Sequence, residues 1–226
     1  EILRCLVGSE MCIRDREITA SVKVIDGDVI YMASDGSQKQ LTHTLNEERN
    51  PVLSPNGKWV AFTRDNDLYA VEVASGREVR YTTDGSDVIK NGYASWVYYE
   101  EILGRGSNYR SFWWSPDSRY LAFFRYDDSS VPVYPLYDVR GKHGLQEMNR
   151  YPRAGDPNPE VSVGIVPVEG GMVVWAAFDP KDDQYFGTPF WRPDGSSLLV
   201  QWMPREQNVL KLYDIDLITG KKEEIY

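Results

Sequence analysis

Apolar residues in this chain come in short runs set off by turns. Three stretches share one layout: SPNGKWVAF at 54–62, SPDSRYLAF at 115–123 and RPDGSSLLV at 192–200. In each, proline fixes φ, Asn or Asp bonds the local backbone, and a small residue accepts the turn conformation. A β-run follows, such as Trp59-Val60-Ala61-Phe62 or Leu198-Leu199-Val200. A second element recurs as NDLYAVEVASGREV at 66–79 and NVLKLYDIDLITGKKEEI at 208–225, with a weaker copy, DVIYMASDGSQKQL, at 28–41. Each reads as an alternating strand, a Gly-containing turn and a second strand.

Strand, Pro-Asx turn, strand and a Gly-turn hairpin together make one four-stranded blade, and repetition of that unit predicts a β-propeller. The turns at 54, 115 and 192 are 61 and 77 residues apart, more than the ~40–50 of a usual blade. Either blades carry insertions, or a degenerate blade lies between the clear ones. Residues 161–178, VSVGIVPVEGGMVVWAAF, read as such an intervening hairpin, turning at Glu169-Gly170-Gly171. Two segments break the strand pattern. Residues 96–106 predict a short helix ended by Gly104 or Gly106. Residues 138–160, rich in Pro, Gly and charge, read as an excursion from a blade. The expected class is all-β: three to four four-stranded blades of a larger ring, cut at both ends, with a short helical insertion.

Composition narrows the function. Among the 226 residues, 42% are hydrophobic and 13% aromatic, a globular profile rich in strand-favouring side chains. A net charge of −9 argues against nucleic acid as a partner. No run of 18 apolar residues is present, so no helical membrane span is expected in this stretch. Residues 3–16, LRCLVGSEMCIRDR, have neither strand alternation nor a helical stripe. They resemble translated sequencing-adapter read-through, and 1–16 is set aside as a non-native segment, leaving 17–226 as the partial propeller. Cys5 and Cys12 both fall in that segment, so neither disulfides nor Cys-based metal sites are expected in the remainder.

Candidate chemistry is sparse. The chain has no Gly-x-Ser-x-Gly elbow, phosphate loop or His-x-x-x-His pair, so no catalytic residue, metal site or cofactor is assigned. His43 and His143 lie in a Thr-rich linker and in the charged excursion, and read as surface histidines. Asp127-Asp128 reads as an acidic turn rather than a cation site. Glu100 and Glu101 differ: they follow Trp96, Tyr98 and Tyr99 in WVYYEEILGR at 96–105. Two adjacent carboxylates raise each other's pKa unless a cation joins them, and aromatics wall such a site from water. A peptide α-ammonium, with pKa near 8 and three N–H donors, fits that demand. Side chains of adjacent helical residues point about 100° apart, so both reach one small ligand only at the helix edge. The plainer reading of the pair is an exposed acidic turn.

These residues carry a family resemblance. W-V-Y-x-E-E at 96–101, W-W-S-P at 113–116, Leu121-Ala122 and V-P-V-Y-P at 131–135 resemble the N-terminal propeller of dipeptidyl peptidase IV-like enzymes of the prolyl oligopeptidase family. Y-P-R-A-G-x-x-N-P at 151–159 and Q-W-x-x-R-x-Q-N at 201–208 continue the match over roughly residues 25–226. The resemblance implies an eight-bladed propeller capping an α/β-hydrolase domain that carries a Ser-Asp-His triad absent from this stretch. It implies that Glu100 and Glu101 bind the N-terminal ammonium of a peptide substrate, and that N-terminal dipeptides with proline or alanine second are released. It further implies a periplasmic or cell-envelope location and an association between copies as a homodimer. The family's upstream backbone-binding arginine has no counterpart ahead of VIYM at 29–32. A prolyl tripeptidyl or acylaminoacyl peptidase relative, and a non-catalytic protein-binding propeller, are the alternative readings.

Overall fold

The computed structural model describes residues 19–226; the expectation for residues 1–16 lies outside the described residues. The first sheet is a meander of β1 (Ser21–Ile25), β2 (Asp28–Met32) and β3 (Gln38–Gln40). The second takes β4 (Arg49–Leu53), β5 (Trp59–Arg64), β6 (Asp67–Glu72) and β7 (Glu78–Arg80) in chain order. In the third, β8 (Ile89–Asn91) and β9 (Phe112–Trp114) both pair with β10 (Tyr120–Asp127), which pairs with β13 (Glu160–Pro167) and through it with β14 (Val174–Trp175). Between β10 and β13, β11 (Val133–Asp138) and β12 (Leu145–Arg150) form a separate two-stranded hairpin. The fourth sheet has β15 (Gln184–Phe186) and β16 (Phe190–Trp191) on β17 (Ser197–Pro204), followed by β18 (Lys211–Asp216) and β19 (Lys222–Glu224). All the pairings are antiparallel, and the four sheets correspond to the expected three to four blades.

Local chemistry accounts for the repeated turns. Ser54 Oγ donates to Asn56 Oδ1 at 2.8 Å and accepts the Trp59 N–H at 3.0 Å. Ser115 repeats both bonds, to Asp117 Oδ1 at 2.6 Å and from Tyr120 N–H at 2.9 Å. The side chains thus close the turn and set the first residue of the following strand. In the third copy Arg192 stands in place of the serine, and the turn is held by the Gly195 N–H on the Arg192 carbonyl at 2.8 Å.

Packing explains why the strands read as continuous apolar runs. Trp59 and Ala61 of β5 face Phe112, Leu121 and Phe123 of the third sheet, while Val60 and Phe62 face Val29 and Leu41 of the first. On β10, Leu121 and Phe123 face the second sheet, and Ala122, Phe124 and Tyr126 face Phe186, Leu198 and Val200 of the fourth. Each central sheet is buried on both faces, so the period-2 alternation has nothing polar to place on either side.

The spacing question resolves in favour of insertions. Residues 161–178 form the predicted hairpin, but it is not a separate blade: β13 pairs along its whole length with β10, from Tyr120↔Pro167 to Asp127↔Glu160. The excursion between them holds the β11–β12 hairpin, which begins earlier than the predicted 138. His143 on this excursion and His43 are both exposed. The Asp127-Asp128 pair divides its work. Asp127 Oδ1 caps the turn through the Ser129 N–H at 2.9 Å. Asp128 is buried against Lys90 of β8, which supplies the protein's own cation.

A second insertion carries Glu100 and Glu101. Asn91 pairs with Arg125 and Phe112 with Phe123, two steps apart on β10. Residues 92–111 therefore leave the sheet and return to the same line. The neck is closed opposite Phe124: Gly92 N–H donates to the Phe124 carbonyl at 2.8 Å, Phe124 N–H to the Ser111 carbonyl at 3.0 Å, and Ser111 N–H to the Gly92 carbonyl at 2.9 Å. Gly92 sits at φ +70°, where a Cβ would press on Leu68, Phe112 and Thr63 at 3.2–3.4 Å. Gly92→Ala is expected to cost about 1–3 kcal/mol, the usual penalty for a non-glycine residue in this conformation. A thermal transition unchanged from wild type would contradict this account of the neck.

Candidate functional site

The insertion is built from the neck upward. Above Gly92, Tyr93 bridges Arg110 and the Ala94 N–H donates to the Tyr109 carbonyl at 2.7 Å. The chain then turns through a helical segment whose core, Tyr98–Ile102, is a π-turn with the Leu103 N–H on the Tyr98 carbonyl at 2.7 Å. It ends at Gly104, as expected, with φ +77°. A single 3₁₀ turn, Arg105–Ser107, and two left-handed residues, Asn108 (φ 51°) and Tyr109 (φ 67°), lead back to the neck. The wide turn departs from the α-helix expected of this segment. More residues per turn means a smaller angle between neighbours, so Glu100 and Glu101 diverge less than an α-helical pair.

Glu100 is partly buried and fully engaged. Its Oε2 accepts the Trp96 indole N–H at 2.6 Å, and its Oε1 accepts from the Arg105 guanidinium. The Arg105 bond, opposed by partial desolvation and helped by Trp96, holds the Glu100 carboxyl below its ordinary range. Glu101 is exposed beside it, and its charge reaches Arg105 as well. The neighbouring carboxylates thus meet a protein cation at one edge and solvent at the other.

The aromatics sort into two roles. Trp96 packs against Tyr99 at 6.1 Å and Tyr109 at 6.5 Å, and Tyr109 is stacked between Tyr99 at 3.7 Å and Tyr93 at 4.9 Å. Burial and the two flanking tyrosines push the Tyr109 hydroxyl up to about 12. Tyr98 does not wall the site, contrary to the expectation that all three aromatics would. It is 1% exposed, packs on Phe124 and Tyr126, and its oxygen accepts the Phe186 N–H at 3.0 Å. Its place is the core between the third and fourth sheets, where it anchors the helical segment.

Distant sequence motifs converge here. Tyr151, the first residue of YPRAG, packs on Trp96 with ring centres 6.1 Å apart. Arg205, from the QWMPREQN stretch, donates to the Asp156 carbonyl at 2.8 Å and pairs with Asp183 at 3.1 Å, tying the 151–159 loop to the fourth sheet. Asn158 of the same loop donates to the Tyr185 hydroxyl at 2.7 Å. A cavity of about 450 Å³ opens beside Trp96, lined by Arg49, Tyr93, Tyr109, Met148 and Arg150 among others. Arg49 was not singled out from sequence. Its guanidinium lies over the Tyr93 ring, 5.5 Å from the centroid, and no motif at 47–49 announced it. Arg105 was likewise missed; a lone basic residue between two glycines carries no signal until the turn folds it onto Glu100.

Residues 21–225 match the family model described as the dipeptidyl peptidase IV N-terminal region. The chain belongs to this family. It is 35% identical over 186 residues to the protein named "Probable dipeptidyl-aminopeptidase B" of Phaeosphaeria nodorum, and 36% identical over 186 residues to its namesake in Pyrenophora teres. Each alignment covers 75% of this chain and 20% of the relative, so the chain spans about a fifth of the length of these curated relatives. The crystal structure of Porphyromonas gingivalis dipeptidyl peptidase 4 superposes with a TM-score of 0.75 at 27% identity, covering 92% of this chain and 30% of that one. Sequence family and fold neighbour therefore agree on a dipeptidyl peptidase IV propeller region.

Proposed function

We propose that this chain is the propeller portion of a serine-type dipeptidyl peptidase, in which Glu100 and Glu101 hold the substrate's N-terminal ammonium. The carrying observation is the state of Glu100: a carboxylate kept ionised by Trp96 and Arg105, next to the exposed Glu101 at the end of an insertion from a blade. The relatives' greater length supports a C-terminal hydrolase domain in the same parent chain, and their names support peptide substrates. The serine, aspartate and histidine of the reaction belong to that domain.

An anchored ammonium acts as a ruler. Two extended residues span about 6.6–7.2 Å, so a serine held at that distance attacks the carbonyl of the second residue and releases X-Pro or X-Ala. Internal peptide segments offer no ammonium and are refused. Binding energy collected at Glu100 and Glu101 orients the scissile bond as well as retaining the peptide. Removing that anchor would convert an exopeptidase into a poor, unregistered hydrolase. The alternative of a tripeptidyl relative differs in the distance from anchor to serine.

The test compares dipeptidyl substrates with free and N-acetylated termini on the full-length enzyme. Acetylation is expected to cut turnover to a small residual rate, and equal turnover would remove the ammonium from the mechanism. The pH dependence has a worked sign. Because Glu100 is held below its ordinary value, the anchor persists above that depressed pKa and fails only as pH falls through it. The acid limb due to Glu100 therefore lies below the ordinary glutamate value of about 4.3, and the alkaline rise in KM follows the substrate ammonium near 8. An alkaline limb identical for N-acetylated and free substrates would contradict the assignment.

A further inference from the structure

We infer that Arg105 is a resident cation of the ammonium anchor, paired with Glu100 until a substrate's N-terminal ammonium displaces it. The inference rests on the anchor reading above and concerns its occupancy rather than its existence. Glu100 gives one oxygen to Trp96 and the other to Arg105. The Trp96 bond fixes the carboxylate's orientation from within the insertion. The Arg105 bond comes from the solvent side, where an incoming ammonium would approach. Arg105 makes no other side-chain hydrogen bond among the described residues, and its side chain is 69% exposed while that of Glu100 is 17% exposed.

Backbone chemistry makes this arginine movable. It stands between Gly104 and Gly106 in a single 3₁₀ turn, and a Cβ at either glycine would meet nothing within 4 Å. Neither glycine packs against a neighbour, so the turn is not wedged on either side of Arg105. Its guanidinium can leave for water at little cost, because an exposed ion pair is a weak one. The charge of Glu101 reaches Arg105 as well, but the guanidinium's hydrogen bond goes to Glu100.

Charge balance supplies the functional reason. Two carboxylates without a counter-ion repel each other and would drive one of them to take a proton. With Arg105 in place Glu100 stays ionised in the absence of substrate, and the anchor is ready when a peptide arrives. The exchange is of one cation for another, so the number of charges on the carboxylates does not change as substrate binds. The cost is competition: apparent affinity is the intrinsic affinity reduced by the fraction of anchors that Arg105 leaves free. Arg105 thereby tunes selection for a genuine ammonium, since a neutral N-terminus cannot displace a guanidinium from a carboxylate.

The experiment is steady-state kinetics on the full-length enzyme with a free dipeptidyl substrate and its N-acetylated form. Arg105→Gln is expected to lower KM for the free substrate about two- to fivefold, the scale of an exposed ion pair. Arg105→Lys, which keeps the charge, restores KM towards wild type. A KM for Arg105→Gln that is unchanged or raised overturns the inference, because an arginine that only braces the loop would not improve binding when removed. Glu101→Gln in parallel separates the two readings. If it leaves KM untouched, the anchor itself is wrong; if it raises KM while Arg105→Gln does not lower it, the anchor stands and the resident cation falls.

Discussion

Glu101→Ala in the full-length enzyme is expected to lower kcat/KM for free dipeptidyl substrates roughly ten- to 150-fold, with a loss of similar size for Glu100→Ala. Hydrogen bonds to a charged group contribute about 1.5–3 kcal/mol each, and every 1.4 kcal/mol is a factor of ten. The two variants fail for different reasons. Glu101 is exposed, so its removal subtracts a carboxylate and little else. Removing Glu100 also releases the Trp96 indole and the Arg105 guanidinium, leaving both without their acceptor. Glu100→Gln isolates the charge, because an amide oxygen can still accept from Trp96 while it no longer attracts a cation. The loss should fall on substrates with a free terminus and vanish for acetylated ones, whose residual turnover owes nothing to the anchor. Wild-type kinetics for both alanine variants would refute the assignment of Glu100 and Glu101 to substrate binding.

Much of this arrangement is legible along the chain because it is local. The turns at Ser54 and Ser115 close through bonds spanning two to five residues, and their Pro-Asx pattern is visible as written. The hairpins β2–β3, β6–β7 and β18–β19 follow from strand and turn residues in sequence order. The pairing of β8 and β9 with a single strand is a different matter. Twenty residues separate Asn91 from Phe112, and only the non-local ladder to β10 puts them in line. Blade spacing was ambiguous for the same reason: whether β13 joins β10 or starts a new blade depends on a pairing across an excursion. Within WVYYEE, Tyr98 and Tyr99 look equivalent. A π-turn sends one into the core and the other onto Tyr109, and no side-chain property distinguishes them beforehand. Arg105 reaches Glu100 because a glycine breaks the helix between them, a geometry that helical spacing does not foresee.

The burial of Tyr98 makes it the residue through which fold stability and the geometry of the proposed anchor are coupled. Tyr98→Ala is expected to destabilise the propeller by about 3–5 kcal/mol, the range for deleting a large aromatic from a packed core. For a unit of this size that is roughly 6–20 °C of its calorimetric transition. The ring fills the space between Phe124 and Tyr126 and lies two residues before Glu100, so the emptied site also frees the helical segment from the fourth sheet. KM for free-terminus substrates should rise even at temperatures where the variant is folded, because the carboxylates lose their fixed base. Tyr98→Phe separates the two consequences. It keeps the ring and removes only the acceptor of the Phe186 N–H, leaving a buried donor unpaired at a cost of about 1–3 kcal/mol. That variant should melt earlier but bind substrate nearly as well, since the ring alone seats the helix. If Tyr98→Phe raised KM as much as Tyr98→Ala, the hydroxyl would be the seat of the anchor and packing would be secondary. If neither substitution moved the transition, Tyr98 would not belong to the core between the third and fourth sheets, and the insertion would have to be held by its neck alone.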